Sequence, residues 1–152
     1  MEEIKDIEIV LMDKNFVRFE TIKDFSSLQW FERYYGVGTF ELHLDRKYIP
    51  QLRRAAYVYW AGKQSTGVIT YDNISDDDVY IKGEFLEFIL QDRVFETSRS
   101  YDGKVEDVCR SIVSDFFVSP QDPARIMPAL RLGQTKELGG DITLPANRED
   151  SV

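Results

Sequence analysis

Strict alternation along residues 39–45 constrains this chain more than any other feature. Phe40, Leu42 and Leu44 fall on one face, and Glu41, His43 and Asp45 on the other. A period of two belongs to an extended strand, not to a helix. Just upstream, Gly36-Val37-Gly38 supplies the backbone angles of a tight turn, and Leu28 and Trp30 alternate with Gln29 and Phe31. Residues 25–44 therefore predict two strands around a glycine-flanked turn, in the most aromatic stretch of the sequence. Phe40, Leu42 and Leu44 are assigned to the core. Glu41, His43 and Asp45 are assigned to solvent or to the wall of a wet channel.

The flanking segments read in the same way. Ile7, Ile9 and Leu11 alternate with Glu8, Val10 and Met12, which predicts a strand with one buried and one mixed face. Asp13-Lys14-Asn15 is turn chemistry, because Asn and Asp tolerate left-handed angles. Val17, Phe19 and Thr21, opposed by Arg18, Glu20 and Ile22, complete a hairpin. Pro50 limits residues 46–54 to one or two helical turns. Residues 55–60 and 66–74 read as strands, residues 75–78 as a polar turn, and Val79, Ile81 and Gly83 as the strand beyond it. Phe85, Leu86, Ile89 and Leu90 then move to helical spacing. Residues 1–92 thus predict a mainly β (α+β) fold, a small β-barrel of about seven strands with short helices.

From Arg93 the pattern changes. Asp102 is placed as the N-cap of a helix over residues 103–117. Its apolar face comprises Val105, Val108, Cys109, Ile112, Val113 and Phe116, and Pro120 follows as a stop. Leu130 and Leu132, then Ile142 and Leu144, are weak strand fragments. One helix with two such fragments cannot close a core. Residues 93–152 are therefore read as part of a second, helix-containing α/β domain, truncated where the sequence ends.

Charge and composition exclude several functions. The 152 residues carry a net charge of −8, which argues against a protein that binds nucleic acid by neutralising phosphates. One cysteine rules out an intrachain disulfide. The acidic start, MEEIKDIEIV, lacks the basic and apolar regions of a signal peptide. No apolar run approaches the roughly 20 residues that span a bilayer, so no membrane partner is expected.

No catalytic, cofactor-binding or metal site is predicted. His43 has no HxH or HExxH spacing and reads as a polar-face residue. Cys109 sits on the apolar stripe and reads as a buried core thiol, not a reactive one. Asp76-Asp77-Asp78, with Asp72 nearby, lack the glycine and glutamate of a calcium loop and read as a solvated turn. Gly36-Val37-Gly38 lies between strands with no helix after it, so it is a turn and not a phosphate loop. No serine has a GxSxG elbow. The aromatics Trp30, Phe31, Tyr34, Tyr35, Tyr57, Tyr59 and Trp60 divide between core packing and an exposed face suited to a protein or a sugar. A carbohydrate-binding or adhesion module with a groove lined by Trp30, Tyr57 or Trp60 is the competing reading. A hydrolase fragment is disfavoured, because no nucleophile and base converge.

Several strings along the chain carry a family resemblance. They are the opening strand with Asp13-Lys14-Asn15-Phe16, Phe25-Ser26-Ser27-Leu28-x-Trp30, and Arg33-Tyr34-Tyr35. They continue through Gly38-x-Phe40-Glu41-Leu42, Gly83-x-Phe85-Leu86 and Tyr101-x-Gly103-x-Val105-Glu106-Asp107-Val108. The last is Pro120-x-Asp122-Pro123-x-Arg125-x-x-Pro128-x-Leu130-x-Leu132-Gly133. In order, they resemble the N-terminal region of siphophage and prophage tail-tip hub proteins, the tail-associated lysins. The resemblance implies a baseplate-hub-like fold, with residues 1–92 as a tube-forming β-barrel and residues 93–152 as part of an insertion domain. It implies a non-enzymatic virion protein of the tail tip, assembled in the host cytoplasm, whose full-length form trimerises. It also implies contact with the distal tail protein and the tape measure protein, with DNA passing through the lumen without specific binding. Any lytic activity of such hubs lies in C-terminal domains beyond this sequence.

Overall fold

The computed structural model describes residues 7–75, 78–93 and 98–146. The chain forms two compact units, Met1–Phe88 and Ile89–Val152; the sequence pattern places the change of character four residues later, at Arg93.

The first unit is built on seven strands: β1 (Ile9–Met12), β2 (Arg18–Ile22), β3 (Ser27–Phe31), β4 (Thr39–Leu44), β5 (Tyr57–Trp60), β6 (Thr66–Ile74) and β7 (Val79–Phe85). All are antiparallel to their neighbours, in the order β2-β1-β5-β6-β7-β4-β3. Alternation decides what each strand buries. Phe40, Leu42 and Leu44 point inward with Val79, Ile81 and Phe85 and with Ile9, Leu11, Ile22 and Val58. Between β4 and β5 a short turn leads into the single-turn helix α1 (Ile49–Leu52), which Pro50 opens and whose Leu52 enters the same core.

The sheet does not close into a barrel. Six successive antiparallel pairings leave β2 and β3, the two ends of the sheet, running the same way. Side-by-side parallel strands need a crossover of about a dozen residues, and only residues 23–26 join these two. β3 instead begins where β2 stops. The same link forces curvature: a flat sheet would part its edges by roughly 29 Å, whereas the link from Ile22 to Ser27 reaches at most about 17 Å. An open, strongly coiled sheet satisfies both conditions.

Local details depart from the alternation in explicable ways. β1 is buried on both faces. Arg18 of β2 reaches over β1 to the Tyr59 ring, its guanidinium carbon 5.3 Å from the centroid. Together with Tyr57 and Tyr59 it covers Val10 and Met12 from outside. A bulge at Leu11/Met12 shifts β2, so Ile22 is the fully buried member of that strand. In the first turn the left-handed residue is Phe16 (φ 61°), not Asp13 or Asn15. Asp13 instead accepts from the backbone N–H groups of Asn15 and Val17, and Phe16 stacks on Tyr57 at 4.2 Å. Gly36 does supply a positive φ of 98°. Gly38 acts differently: a Cβ there would collide with the Phe85 ring and the Phe31 carbonyl. Phe85 ends β7 and does not start a helix, and residues 86–92 form a 3-10 segment.

The second unit pairs β8 (Arg99–Lys104) with β9 (Asp141–Ala146) and packs α2 (Val105–Val113) beside them. Asp102 lies in β8, and Lys104 occupies the N-cap position of the shorter helix. The helix then widens into a π turn over Ser114–Val118, closed by the Ser119 N–H donating to the Ser114 carbonyl at 2.8 Å. The extra residue in that turn shifts the helical phase. Phe116 and Phe117 enter the core in succession, while Val105 and Cys109 lie exposed at the other end. The expected burial of Cys109 is thereby overturned. Leu130 and Leu132 belong to an irregular segment and not to a strand.

Candidate functional site

The residues on the outward faces of β4, β7 and β6 follow from register. Glu41 pairs with Lys82 and His43 with Tyr80 across β4–β7, and Tyr71 pairs with Lys82 across β6–β7. A bulge between Ile69 and Tyr71 brings Tyr71 onto this face. Five side chains from three strands therefore meet on one surface.

His43 is the centre of the cluster. Its Nε2 lies 2.7 Å from a Glu41 carboxylate oxygen, and its Nδ1 lies 3.2 Å from Asp78. Its ring stacks on Tyr80, 5.0 Å between centroids, and Tyr80 stacks on Tyr71 at 5.9 Å. The Lys82 ammonium sits over both tyrosines, 5.2 and 5.0 Å from their centroids, and 3.6 Å from Glu41. The electrostatics agree with this geometry. The bond to Glu41, reinforced by Asp78, raises the His43 pKa above its ordinary 6.5. The same bond to His43, with Lys82, depresses Glu41. Tyr80 is pushed up by its hydroxyl contact with Tyr71.

The chemistry open to this arrangement is charge compensation. Both His43 nitrogens face carboxylates, and among the described residues no group of three or more metal-binding side chains converges. The Tyr71 and Tyr80 rings pack on one another and under Lys82, and Tyr71 remains half-exposed.

The other residues singled out in the sequence lie apart. Asp45 accepts from the Lys47 N–H and caps the turn before α1. Asp72 pairs with Ile81 and so lies on the opposite face from His43. Asp76 and Asp77 lie outside the described residues, and Asp78 closes the β6–β7 turn through bonds with Ser75. Trp30 and Trp60 point inward and meet edge to face, whereas Tyr57 is on the outer side. The three side chains named for the competing sugar-binding reading therefore do not share one face. Tyr34 and Tyr35, at the tip of the β3–β4 hairpin, are 92% and 88% exposed and pack on each other. Phe31 beside them is also exposed.

Sequence reading missed Tyr71, Tyr80 and Lys82. Period-two spacing marks Tyr80 and Lys82 as outward-facing but puts Tyr71 on the face of Ile69, from which the bulge removes it, and nothing local says that β7 lies between β4 and β6. Among the described residues no helix is long and apolar enough to cross a membrane.

A family model described as Siphovirus ReqiPepy6 Gp37-like protein matches residues 7–144, spanning both units. No curated protein matches the chain.

Proposed function

The chain belongs to the Siphovirus ReqiPepy6 Gp37-like family, and from that premise we propose that it is a non-enzymatic structural component of a siphophage tail tip. In this reading it is the N-terminal part of a hub whose copies, three in the full-length protein, help to form the ring continuing the tail tube. The distal tail protein adjoins the ring. The tape measure protein and then DNA pass through its lumen, and the working location is the tip of the virion tail.

The observation that carries the proposal is the family match over residues 7–144. The physical character of the chain supports it. A net charge of −8 disfavours adhesion of DNA to a conduit wall. The two outer strands β2 and β3 each have one neighbour in the sheet, and free strand edges are where another chain can add. The acids assigned to the lumen are Glu41, Asp45 and the 76–78 turn. Glu41 and Asp78 already share His43, which limits how much bare negative charge they would present.

Light scattering of this chain with and without the cognate distal tail protein tests the reading. A stable complex of defined stoichiometry is the expected result. A monomer indifferent to that partner, with the full-length protein equally indifferent, would overturn it.

A further inference from the structure

We propose that His43 is a proton-operated clip that ties Asp78, just before β7, to Glu41 of β4 while its imidazole is doubly protonated and releases Asp78 when one proton is lost. The inference is independent of the tail-tip reading. It rests on a count of protons. Ionised carboxylates only accept hydrogen bonds, and a neutral imidazole has a single N–H. Glu41 faces Nε2 and Asp78 faces Nδ1, so both contacts can be hydrogen bonds only when both nitrogens carry protons. After deprotonation one of them becomes lone pair against lone pair.

Geometry also selects which contact fails. The Glu41 contact is 2.7 Å and the Asp78 contact 3.2 Å, so the remaining proton stays on Nε2 and the link to Asp78 opens. Asp78 is the residue through which the turn is built. Its carbonyl accepts from the Ser75 N–H and hydroxyl, and its own N–H donates to the Ser75 oxygen. Loss of the clip leaves Asp78 held by Ser75 and by the Leu44–Val79 pairing beside it, without its side-chain tie to β4.

The charged groups around the ring come from three strands, and Asp76 and Asp77 lie outside the described residues. On β4, Glu41 faces the ring, while Asp45 is engaged with the Lys47 N–H. On β7, Tyr80 stacks on the ring, and Lys82 is 3.6 Å from Glu41 and opposes protonation weakly. On β6, Tyr71 touches Tyr80, and Asp72 lies on the other face. β3, opposite His43 at Ser27, carries no titratable side chain. The two carboxylates on the ring nitrogens favour the charged ring and raise its pKa against the opposing effect of desolvation.

His43 is the sole histidine in the chain, so its imidazole NMR signals titrate without overlap. The expected result is a midpoint above the ordinary value of about 6.5, lowered by Asp78→Asn and by Glu41→Gln. Amide exchange protection at Ser75 and Asp78, corrected for intrinsic rates, should fall through that midpoint in the native chain and stay flat with pH in His43→Gln. A midpoint at or below the ordinary value, no movement in Asp78→Asn, or turn protection that ignores the titration would each overturn the proposal. Asp78 and Glu41 are surface positions, and the amide spectrum of each variant reports directly that it has folded.

Discussion

Trp30 of β3 and Trp60 of β5 meet edge to face with 5.8 Å between ring centroids, although β6, β7 and β4 lie between their strands in the sheet. Four strand spacings amount to roughly 19 Å in a flat sheet. The contact measures how tightly the sheet coils, and Phe40 and Phe85 fill the inside of the bend, 5.8 and 4.7 Å from Trp30. Truncating Trp60 to alanine removes one wall of this cluster and should cost about 3–5 kcal/mol in a urea titration. Trp30 carries a second signature, since its buried indole N–H meets no hydrogen-bond partner among the described residues. Trp30→Phe removes an unsatisfied donor along with some volume, so it should be clearly milder than Trp30→Ala. Equal costs would show that the indole N–H is satisfied in solution.

Phe40 occupies space left by two glycines. A Cβ at Gly67 would strike its ring, and one at Gly83 would strike the Val68 carbonyl as well as approach the ring at 3.1 Å. Phe40→Ala should destabilise by about 3–5 kcal/mol. Gly67→Ala and Gly83→Ala should each cost on the order of 1–3 kcal/mol, with Gly83 the worse because a ring can turn aside and a paired backbone cannot. A Gly83→Ala variant as stable as the parent chain would mean that the β6–β7 register is not the one described. Thermal melts of the three variants measure this directly.

The His43 cluster makes stability depend on pH in two windows. His43 is raised in the folded state, so its contribution is complete below the unfolded value near 6.5 and is lost as pH rises through the folded pKa. Glu41 is depressed, so its contribution is present above the ordinary value of 4.5 and is lost as pH falls through the folded pKa. A stability profile should therefore fall off on both sides, and His43→Asn should flatten the neutral-to-alkaline limb. Chemical denaturation of both proteins across pH 4 to 9 provides the comparison, and superimposable profiles would contradict it.

In the second unit Glu106 gathers a loop. Its carboxylate accepts from the backbone N–H of Lys136 at 2.9 Å and of Leu138 at 2.8 Å, and Arg110 donates to the Gly133 carbonyl at 2.7 Å. The bonds from Leu138 and Lys136 hold the Glu106 pKa below 4.5. Glu106→Ala should release the loop and speed amide exchange at Lys136 and Leu138, with much smaller change at Val108 in the buried part of α2. In the native chain the same two amides should lose protection as pH falls through the depressed Glu106 pKa. Hydrogen exchange read residue by residue checks both statements.

Side-chain period was enough to read the strands of the first unit. The inward set Phe40, Leu42, Leu44, Val79 and Ile81, the turn at Gly36, and strand β6 over Thr66–Ile74 are all local consequences of alternation and backbone freedom. In the second unit the same reading was weaker. An entire strand, Arg99–Lys104, was hidden inside what looks like a helix start, because its pairing with β9 spans about forty residues of chain that carry no local mark of it. The π turn at Ser114–Val118 has no periodic signature either. It arises where two adjacent phenylalanines both find room in one core, and upstream of it Cys109 lies on the surface beside buried Val108.

The sequence by itself determined which face of each first-unit strand is apolar, where the chain turns, and that a net charge of −8 makes a poor partner for phosphates. Those properties depend on neighbours within a few residues. Only the tertiary structure decided the order of the strands, and with it the two outcomes that matter most. One is the open coil, which follows because a four-residue link cannot return the chain to pair β3 beside β2. The other is the meeting of Glu41, His43, Asp78, Tyr80, Lys82 and Tyr71, which rests on β7 lying between β4 and β6. Long-range pairing is selected by the packing of the whole core, and residue spacing along the chain carries no record of it.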